Sequence, residues 1–234
     1  MRGGRGINQV YRTNHYLGND RYKENRPLLL LPSPTPLKNI QPNFYLTGGT
    51  ALAEYYFQHR VSDDLDFFSE QPFSLMVLEP LITNIINTLN ATEVKYNKLF
   101  DRHIYFFKVG NEEIKIEFTY FENKRINPTK VFSGLQVDDL LDIGANKIMA
   151  MLDRNEPKDF IDLYFILHQI NLDELLKVVK KKYQVEIDPI TLGSAFNKGV
   201  KIEFPKEKLF KSTVPEIRSF WDNKALEFKP KIFE

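Results

Sequence analysis

The sequence contains no cysteine, and only one tryptophan occurs among its 234 residues. Without cysteine the chain can form no disulfide, no zinc–thiolate site and no cysteine nucleophile. It also lacks any apolar run of the roughly 18 residues that a membrane-spanning helix needs. The formal net charge is +1, so overall charge argues neither for nor against a nucleic-acid partner. We therefore expect a soluble, cytoplasmic protein with no membrane partner.

The chain changes character twice along its length. Residues 1–26 are polar and basic without an apolar signal core, and we expect a loosely held N-terminal arm. A misassigned start codon would give the same pattern. Residues 27–125 alternate short strand-type and helix-type segments, whereas residues 126–234 show mostly helical apolar spacing. The predicted architecture is α+β: a small mixed β-sheet core flanked by helices, followed by a mostly helical module.

Individual elements follow from apolar periodicity and from turn residues. Strands are predicted at residues 44–46, 65–68, 94–96, 102–109 and 113–120. Helices are predicted at residues 51–59, 74–90, 138–153, 158–169, 173–183, 189–198 and 214–226. The boundary between the two modules is expected between residues 123 and 135, at Asn127-Pro128 or at Ser133-Gly134.

Two aspartates begin the predicted strand at residues 65–68. Residues i and i+2 of a strand point to the same face, so Asp64 and Asp66 stand side by side. Adjacent carboxylates repel each other, and a hard divalent cation such as Mg²⁺ relieves that repulsion. The alternative is that both acids are merely solvated beside a turn, because a D-x-D pattern alone has low specificity.

A glycine pair lies between the first strand and the first helix. Gly48-Gly49 would let the backbone approach a ligand closely, and free N–H groups there attract phosphate. Thr50 adds a hydroxyl at the same place. The alternative is an ordinary tight turn.

A third acid is predicted on another strand. Residues 113–120 alternate, with Ile116 and Phe118 on one side and Glu117 on the polar side. If this strand lies beside the aspartate strand, Glu117 would serve as a metal ligand or as the base for an acceptor hydroxyl. A solvent-facing glutamate is the equally weighted alternative.

These residues together resemble a known signature. Gly48-Gly49, a spacer and Ser62-x-Asp64-x-Asp66 are similar to the motif of the DNA polymerase β-type nucleotidyltransferase superfamily. The longer string FYLTGGTALAEYYFQHRVSDDLDFF closely resembles the AbiEii/AbiGii toxin family of bacterial nucleotidyltransferases. A later segment resembles the same family: a helical Lys147, then Arg154, Asp159 and Asp162 in the order R-x(4)-D-x-x-D.

The resemblance implies a site and a reaction. Catalysis would fall to Asp64, Asp66, Glu117 and Lys147, with Mg²⁺ or Mn²⁺ held by the three acids. Nucleotide binding would fall to Gly48, Gly49, Thr50, Arg60, Ser62, Asp159 and Asp162. The enzyme would move an NMP from an NTP to an acceptor hydroxyl of an RNA such as tRNA, or of a protein. It would be the toxin of a toxin–antitoxin or phage-defence system, with an antitoxin protein as a possible partner.

Two other functions remain open at this point. One is a non-catalytic nucleotide-binding or partner-binding protein of the same fold, although the intact acidic pair argues against it. The other is nucleotidyl transfer to a small molecule, in a pocket that the helical module would shape. His59, next to Arg60, is interpreted as a structural residue rather than as a base.

Overall fold

A computed structural model describes residues 44–132, 134–206, 209 and 211–233. The predicted arm, residues 1–26, and the start of the predicted core, residues 27–43, lie outside the described residues. The described residues form one seven-stranded sheet with strand order β3-β4-β5-β2-β1-β7-β6. The strands are β1 (Tyr45–Thr47), β2 (Asp64–Ser69), β3 (Glu93–Leu99), β4 (Arg102–Val109), β5 (Glu112–Tyr120), β6 (Lys130–Phe132) and β7 (Leu135–Val137).

The helices follow the predicted order with small shifts of their ends. The first helix begins three residues earlier than predicted, at Gly48, because Gly48 adopts a φ of 71° and turns the chain directly out of β1. The helices are α1 (Gly48–Ala51, which runs on as a π-helical segment, Leu52–Phe57), α2 (Leu75–Leu89), α3 (Leu140–Asp153), α4 (Pro157–Leu167), α5 (Leu172–Tyr183), α6 (Pro189–Lys201) and α7 (Val214–Phe233). No helix in the described ranges has the length and apolar character that crossing a membrane requires.

The α+β prediction is confirmed, and β6 and β7 are an addition to it. These two short strands pair with each other, and β7 runs parallel to β1, with Leu46 opposite Val137. They lie where the sequence predicted the boundary between the two modules. The sheet therefore extends past residue 125, the predicted end of the core.

The acidic strand lies in the middle of the sheet. On β2, Leu65 and Phe67 are fully buried, whereas Asp64 and Asp66 face the other side and are partly exposed. β2 runs parallel to β5, and Asp66 is directly opposite Glu117. The two strands are therefore adjacent, which is the condition under which Glu117 was predicted to act with the two aspartates.

The helices of the second half pack against one another through aromatic side chains. Trp221 of α7 is fully buried and meets Phe160 of α4 edge-on, with 5.5 Å between ring centroids. Gly199 of α6 lies in the same contact, and a Cβ there would be 2.8 Å from both rings. This packing fixes α4, and α4 in turn carries two buried acids towards the sheet.

One buried acid lies between β7 and α3 and makes stability depend on pH. Asp138 is fully buried, and its carboxylate accepts a 2.8 Å hydrogen bond from the Thr47 hydroxyl. Burial raises the pKa of Asp138 from 3.8 to about 7, against the opposing effect of nearby Lys182. Between these values the folded state binds more protons than the unfolded state, so stability should fall as pH rises through that window.

Asp138→Asn should remove this dependence while keeping an acceptor for Thr47. At about pH 8 we expect the variant to be more stable than the wild type by about 1–3 kcal/mol, and at about pH 4 the two should be similar. Denaturant unfolding at both pH values measures this. The exposed Asp222→Asn serves as the control, and parallel profiles for wild type and Asp138→Asn would contradict the prediction.

Candidate active site

A cavity of about 410 Å³ lies between the sheet and the helices α3 and α5. This volume is within the roughly 300–1,000 Å³ that is usual for small-molecule sites. Eight of the residues predicted from sequence line it together: Gly48, Gly49, Arg60, Ser62, Asp64, Asp66, Glu117 and Lys147. Three predicted residues, Thr50, Asp159 and Asp162, do not line it and are fully buried behind it.

Asp66 is the acid at the centre of the cavity wall. Its carboxylate makes no hydrogen bond to any residue that the structure describes, and it lies between Asp64 on its own strand and Glu117 on β5. Burial, and secondly the charge of Glu117, raise the pKa of Asp66 to about 6. Gly48 makes room for this side chain, since a Cβ there would be 2.9 Å from Asp66 Oδ2.

Glu117 is held by protein cations. Arg102 of β4 donates to both of its carboxylate oxygens, at 2.6 and 2.7 Å, and Thr119 donates to Oε1 at 2.8 Å. Burial alone would raise the pKa of Glu117, but these hydrogen bonds outweigh it and lower the pKa. Lys115 lies 3.2 Å from Asp64 Oδ2 and 3.7 Å from Glu117 Oε2. As the described side chains stand, no three acids or histidines are grouped as a metal site.

The glycine turn and the residues before β2 interlock. A Cβ on Gly49 would be 2.2 Å from Arg60 Nη2 and 2.9 Å from Ser62 Oγ, so only glycine leaves room for these side chains. The Thr50 hydroxyl is hydrogen-bonded to the Asp64 carbonyl and lies 3.0 Å from Ser62 Oγ. Thr50 therefore fixes the start of β2 from behind, and Arg60 and Ser62 reach the cavity.

Asp162 of α4 is surrounded by buried nitrogen donors from three side chains. Its carboxylate accepts from Arg60 Nε at 2.6 Å and Nη2 at 2.9 Å, and Lys147 Nζ lies 2.7 Å from it. His59 Nε2 is 2.8 Å away, and burial lowers the pKa of His59, so this ring is a neutral donor. The ring of His59 is fully buried, as the structural interpretation of this residue expects.

Asp159, one helical turn earlier on α4, completes this network. It accepts from Lys147 Nζ at 2.8 Å and from Arg154 Nε at 2.8 Å. Lys147 is therefore held between two buried carboxylates, and its side chain is only 8% exposed. The two aspartates act on the cavity through the cations that they hold in its wall.

Several lining residues were not singled out from sequence. Phe68 follows Asp66 at i+2 on the same face of β2, and Lys115 precedes Glu117 by two on β5, so strand alternation alone could have found both. Asn146 lies next to Lys147 on α3. Arg102 and Tyr183 carry no such signal, because only the tertiary fold brings them to the cavity.

Comparison with known proteins gives the site its context. The family described as nucleotidyl transferase AbiEii toxin, type IV TA system, matches residues 30–234. An uncharacterised protein of Aquifex aeolicus strain VF5 is 32% identical over 200 residues, 82% of this chain and 87% of that protein. The crystal structure of JHP933 from Helicobacter pylori covers 91% of this chain and 94% of its own, with a TM-score of 0.59 at 19% identity.

A further solved structure has the same fold. MenT4, a nucleotidyltransferase toxin from Mycobacterium tuberculosis H37Rv, aligns with a TM-score of 0.50 at 13% identity, over 88% of this chain and 85% of that one. The family match covers far more than half of the chain and includes every residue of the cavity described above. The chain is therefore a nucleotidyltransferase that belongs to the AbiEii toxin family of type IV toxin–antitoxin systems.

Proposed function

We propose that this nucleotidyltransferase moves an NMP from an NTP to an acceptor hydroxyl, in a reaction that depends on Mg²⁺. The acceptor is an RNA such as tRNA, or a protein. One observation carries the proposal: a single cavity has Asp64 and Asp66 on its sheet wall and Lys147 and Arg154 on its helical wall. Acids for a metal and cations for phosphates thus face the same space, as phosphoryl transfer requires.

The acidic wall fits a hard divalent cation. Asp66 has a partly exposed carboxylate without a hydrogen-bond donor among the described residues, and Asp64 stands beside it on the same strand face. Oxygen donors of this kind are the ligands that Mg²⁺ prefers. Asp64 and Asp66 would hold the metal. Glu117 would be the third ligand once Arg102 releases one of the two Glu117 carboxylate oxygens that it now binds. When bound, the metal would neutralise charge on the triphosphate and on the developing oxyanion.

The other residues bind and orient the reactants. Lys147 and Arg154 would contact the negatively charged phosphates, because Asp159 and Asp162 hold them in fixed positions. Gly48 and Gly49 would let a phosphate approach the backbone, and Ser62 would donate its hydroxyl. A bond forms between the acceptor oxygen and the α-phosphorus, and the bond from the α-phosphorus to the bridging oxygen breaks, releasing pyrophosphate.

The proton of the acceptor hydroxyl needs a base within the cavity. Glu117 has both carboxylate oxygens occupied by Arg102 and Thr119. No donor in the described part of the chain engages the carboxylate of Asp66. We therefore propose that one carboxylate oxygen of Asp66 would hold the metal and the other would accept the proton, and we assign ligand and positioning roles to Glu117.

The biological role that follows is that of a toxin restrained by an antitoxin. The family description names a type IV toxin–antitoxin system, and this supports an antitoxin encoded with the chain. Nucleotide addition to an RNA end or to a protein hydroxyl would disable that molecule. Expression of the chain alone should therefore slow growth, and co-expression of the neighbouring gene should restore it.

Label transfer tests the proposed chemistry. The purified chain is incubated with each α-labelled NTP and Mg²⁺, with either total RNA or a protein extract as acceptor. We expect label in one of the two macromolecular fractions, and its loss when a chelator removes the metal. Label only in small molecules would favour the small-molecule alternative. NTP binding without any transfer would favour a non-catalytic protein and overturn the proposal.

A further inference from the structure

The cavity has two chemically different ends. Along β2, the side chains that face it run from Asp64 through Asp66 to Phe68. Along α3, Ile143 and Asn146 line it nearer the N-terminal end, and the charged residues Lys147, Asp153 and, just after the helix, Arg154 line it further along. One end is therefore cationic and acidic and suits the triphosphate and its metal. The other end is apolar and aromatic and is left for the nucleoside.

The aromatic end offers ring faces to a planar ligand. Phe68 and Phe121 stack on each other with centroids 4.9 Å apart and an interplanar angle of 30°. Tyr183 of α5 meets Phe121 edge-on, with 6.4 Å between ring centroids, and both residues line the cavity. Nucleobases stack on aromatic side chains without regard to sequence, so these rings would bind a base but would not choose among bases.

A choice among bases requires a polar group with a fixed orientation, and Asn146 provides one. The Tyr183 hydroxyl donates a 2.7 Å hydrogen bond to Asn146 Oδ1. Burial raises the pKa of Tyr183, so the phenol stays protonated and remains a donor. Tyr183 thus engages Oδ1, and the Nδ2 protons are the donors that remain for a ligand in the cavity. Within the described ranges no residue accepts a hydrogen bond from Nδ2.

We propose that Asn146 selects the nucleobase of the NTP by donating from Nδ2 to a ring oxo group, and that Tyr183 is the positioning residue that orients the amide by donating to its Oδ1. This inference rests on the proposed function, because it takes the cavity to be the NTP site. Uracil and guanine present an oxo group where cytosine and adenine present an amino group. UTP should therefore bind more tightly than CTP, and GTP more tightly than ATP.

Equilibrium binding tests this without requiring catalysis. Each NTP is titrated with Mg²⁺ against the wild type and its variants, with calorimetry as the readout. The wild type should favour the oxo base of each pair by about tenfold, the factor expected from one hydrogen bond. Asn146→Asp turns the donor into an acceptor and should reverse the order in each pair. The negative charge that Asn146→Asp adds weakens binding of both NTPs in a pair alike, so the ratio of affinities within a pair of equal ring size is free of that effect.

Tyr183→Phe separates positioning from folding. In this variant the Asn146 amide is free to flip, so the UTP-to-CTP and GTP-to-ATP affinity ratios should both fall towards one. The melting temperature reports any loss of stability separately. If Asn146→Asp does not fold, this variant carries the test. Asn84→Asp makes the same chemical change on the exposed face of α2 and should leave the wild-type ratios unchanged.

The outcomes separate this inference from the proposed function. Equal affinities within each pair in the wild type, or the wild-type order retained in Asn146→Asp and Tyr183→Phe, would overturn the role of Asn146 alone. Failure of the wild type to bind any NTP would overturn the proposed function and this inference with it.

Discussion

Replacing Asp66 by asparagine is expected to lower the rate of nucleotidyl transfer by roughly 10³-fold, the scale of loss seen when a group that stabilises transition-state charge is removed. The change removes one metal ligand and the proposed proton acceptor and keeps the volume of the side chain. Single-turnover transfer of a labelled nucleotide measures it. Asp222→Asn, on the exposed face of α7, should retain wild-type rates.

The same substitution should make the metal-free protein more stable. Asp66 is charged at neutral pH next to Asp64 and opposite Glu117, and asparagine ends that repulsion. We expect a gain of about 1–2 kcal/mol in the free energy of unfolding, as is common when strained functional groups are removed. Thermal unfolding with a chelator present measures this gain. Unchanged transfer would contradict the catalytic role of Asp66, and a loss of stability in step with the loss of transfer would show that Asp66 is a structural residue.

The sequence predicted correctly those features of the site that depend only on local backbone geometry. Strand alternation placed Asp64 and Asp66 on one face of β2, and it placed Glu117 on the polar face of β5. Both results need only the two-residue period of a strand. Which strand lies next to β2 was left open, because pairing depends on the whole topology.

Strands β6 and β7 were not predicted, because they are too short to show a sequence pattern. β6 and β7 have three residues each, and Ser133-Gly134 between them has the composition of a linker. Three residues are too few for alternation to be recognised. They can be recognised only from their pairing in the folded chain. β7 pairs with β1, which is about 90 residues earlier in the sequence.

The roles of Asp159 and Asp162 depend on burial, which spacing cannot reveal. Residues three apart on a helix lie on one face, and the family resemblance implied that both aspartates belong to the nucleotide site. They do share a face of α4, and both are fully buried away from the cavity. Their contacts are cations of the chain itself, so we propose that they bind the nucleotide only indirectly, by positioning Arg60, Lys147 and Arg154.

Asp162→Asn should therefore cause the largest loss of stability among changes at this site. It leaves the buried Arg60 next to a neutral amide, while Lys147 keeps Asp159, and breaking a buried ion pair from one side costs about 3–5 kcal/mol. Asp159→Asn is the matched comparison on the same helix. It should cost less, because Arg154 is 48% exposed and can be rehydrated, and Lys147 keeps Asp162. Denaturant unfolding at neutral pH ranks the two variants.

The pH dependence gives this prediction a second, independent readout. Burial alone would raise the pKa of Asp162, but Arg60 and Lys147 outweigh it and hold the pKa well below the ordinary value of 3.8. A depressed pKa stabilises the fold above the unfolded value, and this stabilisation is lost as pH falls towards the folded pKa. The stability difference between wild type and Asp162→Asn should therefore be full above about pH 4 and should shrink below it. A difference that is the same at all pH values would mean that the aspartate acts through packing, and that its charge does not hold Arg60 and Lys147 in the cavity wall.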